Sequence, residues 1–88
     1  NNYAYYIATH GGDLNEAEKM SAITIREDAN NPVYLDTYGW ILHLKGKNDL
    51  ALFYLQRALS NSRDERMKAE VEGHLKKVES LKLKDERL

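Results

Sequence analysis

Cysteine is absent from this chain of 88 residues, which excludes disulfides and thiolate-ligated metals and removes any redox clue to compartment. Proline occurs once and glycine five times, so each of these residues is informative as a boundary or a close contact. Charge of one sign is also lacking: 13 basic against 14 acidic residues give a formal net charge of −1. So balanced a chain has no bulk positive field to draw phosphate backbones or anionic lipid, and neither nucleic acid nor membrane is expected as a partner. No apolar run approaches the ~20 residues that cross a bilayer. No alternating apolar–polar stretch long enough for a useful strand occurs either. What is present, 42% hydrophobic and 31% charged residues, suits a single soluble all-α domain whose helices each keep one wet face. The chain opens Asn1-Asn2-Tyr3, without an initiator methionine or a charged-then-apolar leader. It is therefore expected to be a piece of a longer soluble protein, and the sequence leaves its compartment, cytoplasm or periplasm, open.

Helix punctuation divides the chain. Tyr3, Ala4, Ile7 and Ala8 recur at helical spacing and stop at Gly11-Gly12. Asp13 with Glu16 reads as a capping box, followed by an apolar stripe of Leu14, Ala17, Ala22 and Ile25. Asn31-Pro32 joins a capping side chain to proline at the first helical position, where its missing N–H costs nothing. Leu35, Tyr38, Gly39, Ile41 and Leu42 then run to a stop at Gly46. Asn48 is a candidate cap for the helix of Leu50, Ala51, Leu55, Ala58 and Leu59, and Ser62 with Glu65 for a last helix of Met67, Val71, Leu75, Val78 and Leu81. The pattern predicts helices over 2–11, 14–29, 33–45, 49–61 and 64–83, with a frayed tail at 84–88. Connections this short fold successive helices back antiparallel.

The hairpins repeat. Tyr3-Ala4-Tyr5, Ile7 and Gly11 match Tyr38-Gly39-Trp40, Leu42 and Gly46 at an offset of 35 residues. Ala17, Thr24 and Ile25 match Ala51, Ala58 and Leu59 at 34, and a weaker echo at 34 links Gly39, Ile41 and Leu44 to Gly73, Leu75 and Val78. A helix–turn–helix unit at this period, with small residues at Gly39, Ala51 and Ala58, resembles the tetratricopeptide-repeat family. The Leu35–Trp40 stretch is similar to the C-terminal repeats of larger bacterial members. Leu35 stands where many members have tryptophan, and Ala29 and Arg63 where the repeat-ending proline would be.

The resemblance implies a right-handed superhelix of hairpins: an incomplete repeat at 1–31, a fuller one at 32–65 and a capping helix at 66–83. It also implies a protein-binding scaffold rather than an enzyme. Its first helices would line a groove for a peptide or partner helix, with Tyr5, Asp36, Trp40, His43, Leu44, Glu70, His74 and Lys77 in the groove slots. Tyr5, Trp40 and His74 would stand one period apart as an aromatic column, and large rings of low entropy cost suit binding surfaces. The slots that hold a terminal carboxylate in the family's chaperone-tail binders carry Asn1, Tyr5, Thr37, Met67 and Val71, of which only the asparagine is suited to that task.

Other chemistry finds little support. His43 and His74 are followed at i+3 and i+4 only by Lys47, Lys77 and Val78 among nearby candidates, none a usual metal ligand, so no metal is expected, and no cofactor. Ser21, Ser60, Ser62 and Ser80 lie in or beside helices without a nucleophile elbow. Asp13, Glu16, Asp49 and Glu65 fall in first turns, where capping and the helix dipole account for them. The competing expectation is a structural end-cap that binds nothing or self-associates through Tyr3, Tyr6 and Ile7 of the first hairpin.

Overall fold

A computed structural model describes residues 12–87, and the side chains of 12–80. Within them the chain forms α1 (Leu14–Glu27), α2 (Pro32–Leu44), α3 (Asn48–Asn61) and α4 (Glu65–Arg87), and no strand. The all-α expectation is met. The expected helix over 2–11, and with it Tyr3, Tyr5, Tyr6, Ile7 and Gly11, lies outside the described residues.

Local chemistry explains most boundaries. Asp13 Oδ1 accepts from the N–H groups of Asn15 at 2.9 Å and Glu16 at 3.4 Å, starting α1. Asn31 Oδ1 accepts from Val33 at 3.0 Å and Tyr34 at 3.3 Å, and Pro32 takes the first helical position of α2. At the other end of α2 the Lys47 N–H returns to Leu42 O and the Gly46 N–H to His43 O, both at 2.9 Å. This six-to-one, five-to-two pair is the Schellman arrangement, and it requires the φ of +81° that Gly46 adopts.

Other boundaries differ from the expected ones, beginning with α1, which ends at Glu27 rather than 29 because Asp28 takes the C-cap. Asn48 does not cap α3; the N-cap is Lys47, which makes no side-chain cap bond, and Asn48 faces His43 instead. Ser62 does not open α4: its Oγ donates back to Ala58 O at 2.8 Å, closing α3, while Asp64 Oδ1 accepts the Met67 N–H at 2.8 Å. A carboxylate next to the first turn also complements the helix dipole, which a serine two residues further out cannot do. Finally, α4 continues through Arg87 rather than ending at 83. Its last residues are good helix formers without glycine or proline, so backbone bonding carries on after the apolar periodicity stops.

Each helix packs mainly on its chain neighbours, and α2 additionally touches α4. Leu35 and Leu42 of α2, Ala51, Leu55 and Ala58 of α3, and Val71, Leu75 and Val78 of α4 form one buried cluster. On α1, Ala17 meets Ile41 in a smaller cluster bordered by Met20. These three residues have 34-residue counterparts in Ala51, Leu75 and Tyr54, which belong to the larger cluster. Gly39 allows close approach of α3: a Cβ there would stand 2.8 Å from Leu55 Cγ and 3.2 Å from Ala51 O. Gly73, its echo, behaves differently. It is exposed, and a Cβ would meet nothing within 4 Å.

Candidate functional site

Most of the predicted groove residues fall on the face that α2 shares with α4. Asp36, Trp40 and His43 follow one another at helical spacing along α2, and His74 and Lys77 lie one turn apart on α4. The two helices bring them into contact. The rings of Trp40 and His74 lie 4.7 Å apart, tilted by 31°, and those of Trp40 and His43 4.9 Å apart. Lys77 Nζ stands 5.7 Å from the Trp40 ring centre, within reach of a cation–π attraction.

Hydrogen bonds orient both imidazoles. His74 Nδ1 is 2.8 Å from Asp36 Oδ1, and an ionised carboxylate can only accept, so the ring donates from Nδ1. Asp36 is the more buried partner, with 14% of its side chain exposed against 24% for His74. The bond therefore ties α2 to α4 in a partly dry setting. His43 Nδ1 lies 3.1 Å from Asn48 Oδ1 across the Gly46 turn, which fixes that ring against Trp40. A carboxylate orienting an imidazole is a positioning device, and here it sets the His74 ring against Trp40. What the arrangement supplies is a rigid, half-buried aromatic surface with a cation on its edge.

Two of the predicted residues stand apart from this network. Leu44 is 39% exposed at the C-terminal end of α2. Glu70, largely solvated, lies 3.8 Å from Arg66 on its own helix rather than joining His74. Tyr5, the third member of the expected aromatic column, lies outside the described residues. Among the described residues no three His, Asp or Glu side chains gather as a metal-binding group, and no helix is long and apolar enough to cross a membrane.

No family model, curated protein or solved structure matches this chain. The functional reading therefore stands on residues and geometry alone.

Several residues that hold the site in place escaped the sequence reading. The sequence pattern makes Asn48 a cap, whereas its bond to His43 spans a turn that no helical periodicity covers. Glu18 of α1 accepts from Lys45 Nζ at 2.7 Å and lies 3.5 Å from Lys47, pinning the turn after α2. The Lys45 hydrogen bond, reinforced by the charges of Lys45 and Lys47 and opposed by burial, holds the Glu18 carboxyl below its ordinary range. Tyr38 forms a T-shaped pair with Tyr54 at 4.7 Å, and burial first, then the nearby Tyr54 and Glu18, pushes its hydroxyl up. Arg57, on α3, donates from Nη2 to Ala29 O at 3.2 Å and Asn30 Oδ1 at 3.5 Å, so it fastens the turn before α2.

Proposed function

We propose that this chain is a tetratricopeptide-like scaffold module that binds a peptide or partner helix along the α2–α4 face. The contact of Trp40 with His74 carries this reading. These residues sit one period apart in sequence, on helices that are not chain neighbours, and their rings nonetheless build one surface. The 34-residue counterparts in the two core clusters are what repeated hairpins would give, each second helix meeting the next first helix in the same way. Val33 and Leu44, 44% and 39% exposed, leave apolar area at the two ends of α2 for a ligand to cover. The test is affinity capture followed by calorimetry with the captured partner, comparing wild type, Trp40→Ala and Gln56→Ala. Gln56 is exposed on α3, away from the face, and serves as the neutral comparator; Arg57 cannot, because it fastens the α1–α2 turn.

One observation favours a purely structural role. Trp40 is already contacted by His43, His74 and Lys77, as a wall residue would be. The outer positions of α4, Ala69, Glu72, Gly73 and Lys76, are exposed and mostly polar, as suits a capping helix. Under that reading Trp40→Ala lowers stability and leaves partner binding unchanged.

A further inference from the structure

A depression of about 430 Å³ lies where the α1–α2 turn meets the α3–α4 turn, two helical turns before Trp40 and His74. Pro32, Val33 and Met67 supply its apolar lining. Val33 and Met67 are themselves a 34-residue pair, so the depression continues the α2–α4 face towards its N-terminal end.

Two helix N-termini reach this place, which would ordinarily invite an anion. Here the donors on α2 are consumed. Pro32 has no N–H, Val33 and Tyr34 donate to Asn31 Oδ1, and Leu35 donates to Asn31 O at 3.0 Å. On α4 the Met67 N–H donates to Asp64 Oδ1 and the Lys68 N–H to Asp64 O at 3.1 Å. The two carboxylates are only half used. Asp28 uses Oδ2 for Asn31 Nδ2 at 3.2 Å and Asp64 uses Oδ1, so each of these bonds leaves the second carboxylate oxygen for another donor. Arg63 is the one basic residue in the lining against these two carboxylates. The same turn already takes a guanidinium from within the chain, because Arg57 reaches its Ala29 and Asn30 oxygens. An apolar lining beside unspent carboxylate oxygens fits a side chain with a methylene stem and a planar, donor-rich cationic head.

We propose that this depression receives an arginine side chain of a bound polypeptide, its stem against Val33 and Met67 and its guanidinium between Asp28 and Asp64. The proposal rests on the reading that a polypeptide lies along the α2–α4 face, but its test does not use that polypeptide. N-acetyl-arginine methylamide is titrated into the whole chain while the methyl resonances of Val33 and Met67 are followed. Both should shift saturably at millimolar concentration, and the norleucine counterpart should bind at least ~tenfold more weakly. The double variant Asp28→Asn, Asp64→Asn retains size and capping ability and should weaken the arginine probe about tenfold. Trp40→Ala should leave probe binding unchanged, so failure of the aromatic anchor and failure of the arginine site are read separately. Equal binding of the norleucine probe, or no saturable response to the arginine probe, overturns the proposal. Should the double variant fail to fold, the comparison of the two probes on the wild-type chain still decides.

Discussion

At the residue scale the two glycines one period apart make opposite predictions. Gly39 lies where an added methyl would press on Leu55 and the Ala51 carbonyl, whereas Gly73 opens onto empty space. Gly39→Ala should destabilise by about 1–3 kcal/mol through overpacking, only partly offset by better helix propensity. Gly73→Ala should stabilise by about 0.5–1 kcal/mol, since it gains propensity and meets nothing. Urea unfolding of the two variants checks both signs. The repeat in the sequence pairs these residues by position but not by environment, because α3 packs over Gly39 and no described side chain or backbone comes within 4 Å of a Cβ at Gly73. Glu18 gives a pH dependence. Its folded pKa is depressed, so its stabilising contribution is present above the ordinary glutamate value of about 4.3 and is lost as the pH falls through the depressed value below it. Denaturant midpoints from neutral pH down to about pH 3 should fall less steeply in Lys45→Ala than in wild type. The difference at neutral pH should be about 1 kcal/mol or less, as for a partly exposed pair.

At the element scale, helix ends governed by backbone geometry were legible and those decided by competing side chains were not. Asn31-Pro32 and Gly46 act through a fixed φ, a missing N–H or a left-handed turn, and each has few alternatives. Ser62, Asp64 and Asn48 are all competent caps, and tertiary context chose among them. Ser62 turned back to Ala58, Asp64 took the first turn of α4, and Asn48 was drawn to His43. Asp64 directly before the first helical residue was the available clue. The end of α4 is not marked in the sequence for another reason: apolar periodicity reports where a helix is buried, and residues 84–87 are all charged and carry no such mark. Removing the α4 cap by Asp64→Ala should cost about 1 kcal/mol, whereas Glu65→Ala, which the superseded capping box would make important, should change stability by less than about 0.5 kcal/mol. Thermal melts of the two variants distinguish these assignments, and equal losses would restore Ser62–Glu65 as the capping pair.

At the scale of the whole molecule, the described helices bury a core from α2, α3 and α4, and the Trp40 cluster lies where α2 touches α4, helices that are not chain neighbours. That placement was readable because the 34-residue offset put Trp40 and His74 in equivalent slots. The Asp36–His74 bond, which orders the cluster, was not readable, since no local pattern links residues 38 apart in sequence. The proposed role of this face is to bind a polypeptide with Trp40 as its anchor. Truncating such an anchor typically costs about 2 kcal/mol or more of binding energy. Calorimetry with a captured partner, on variants first shown to be helical by circular dichroism, tests the claim most directly. Trp40→Ala should bind at least ~30-fold more weakly than wild type, and Gln56→Ala equally well. Equal affinity of wild type and Trp40→Ala would rule out Trp40 as an anchor and leave it as part of the structural wall.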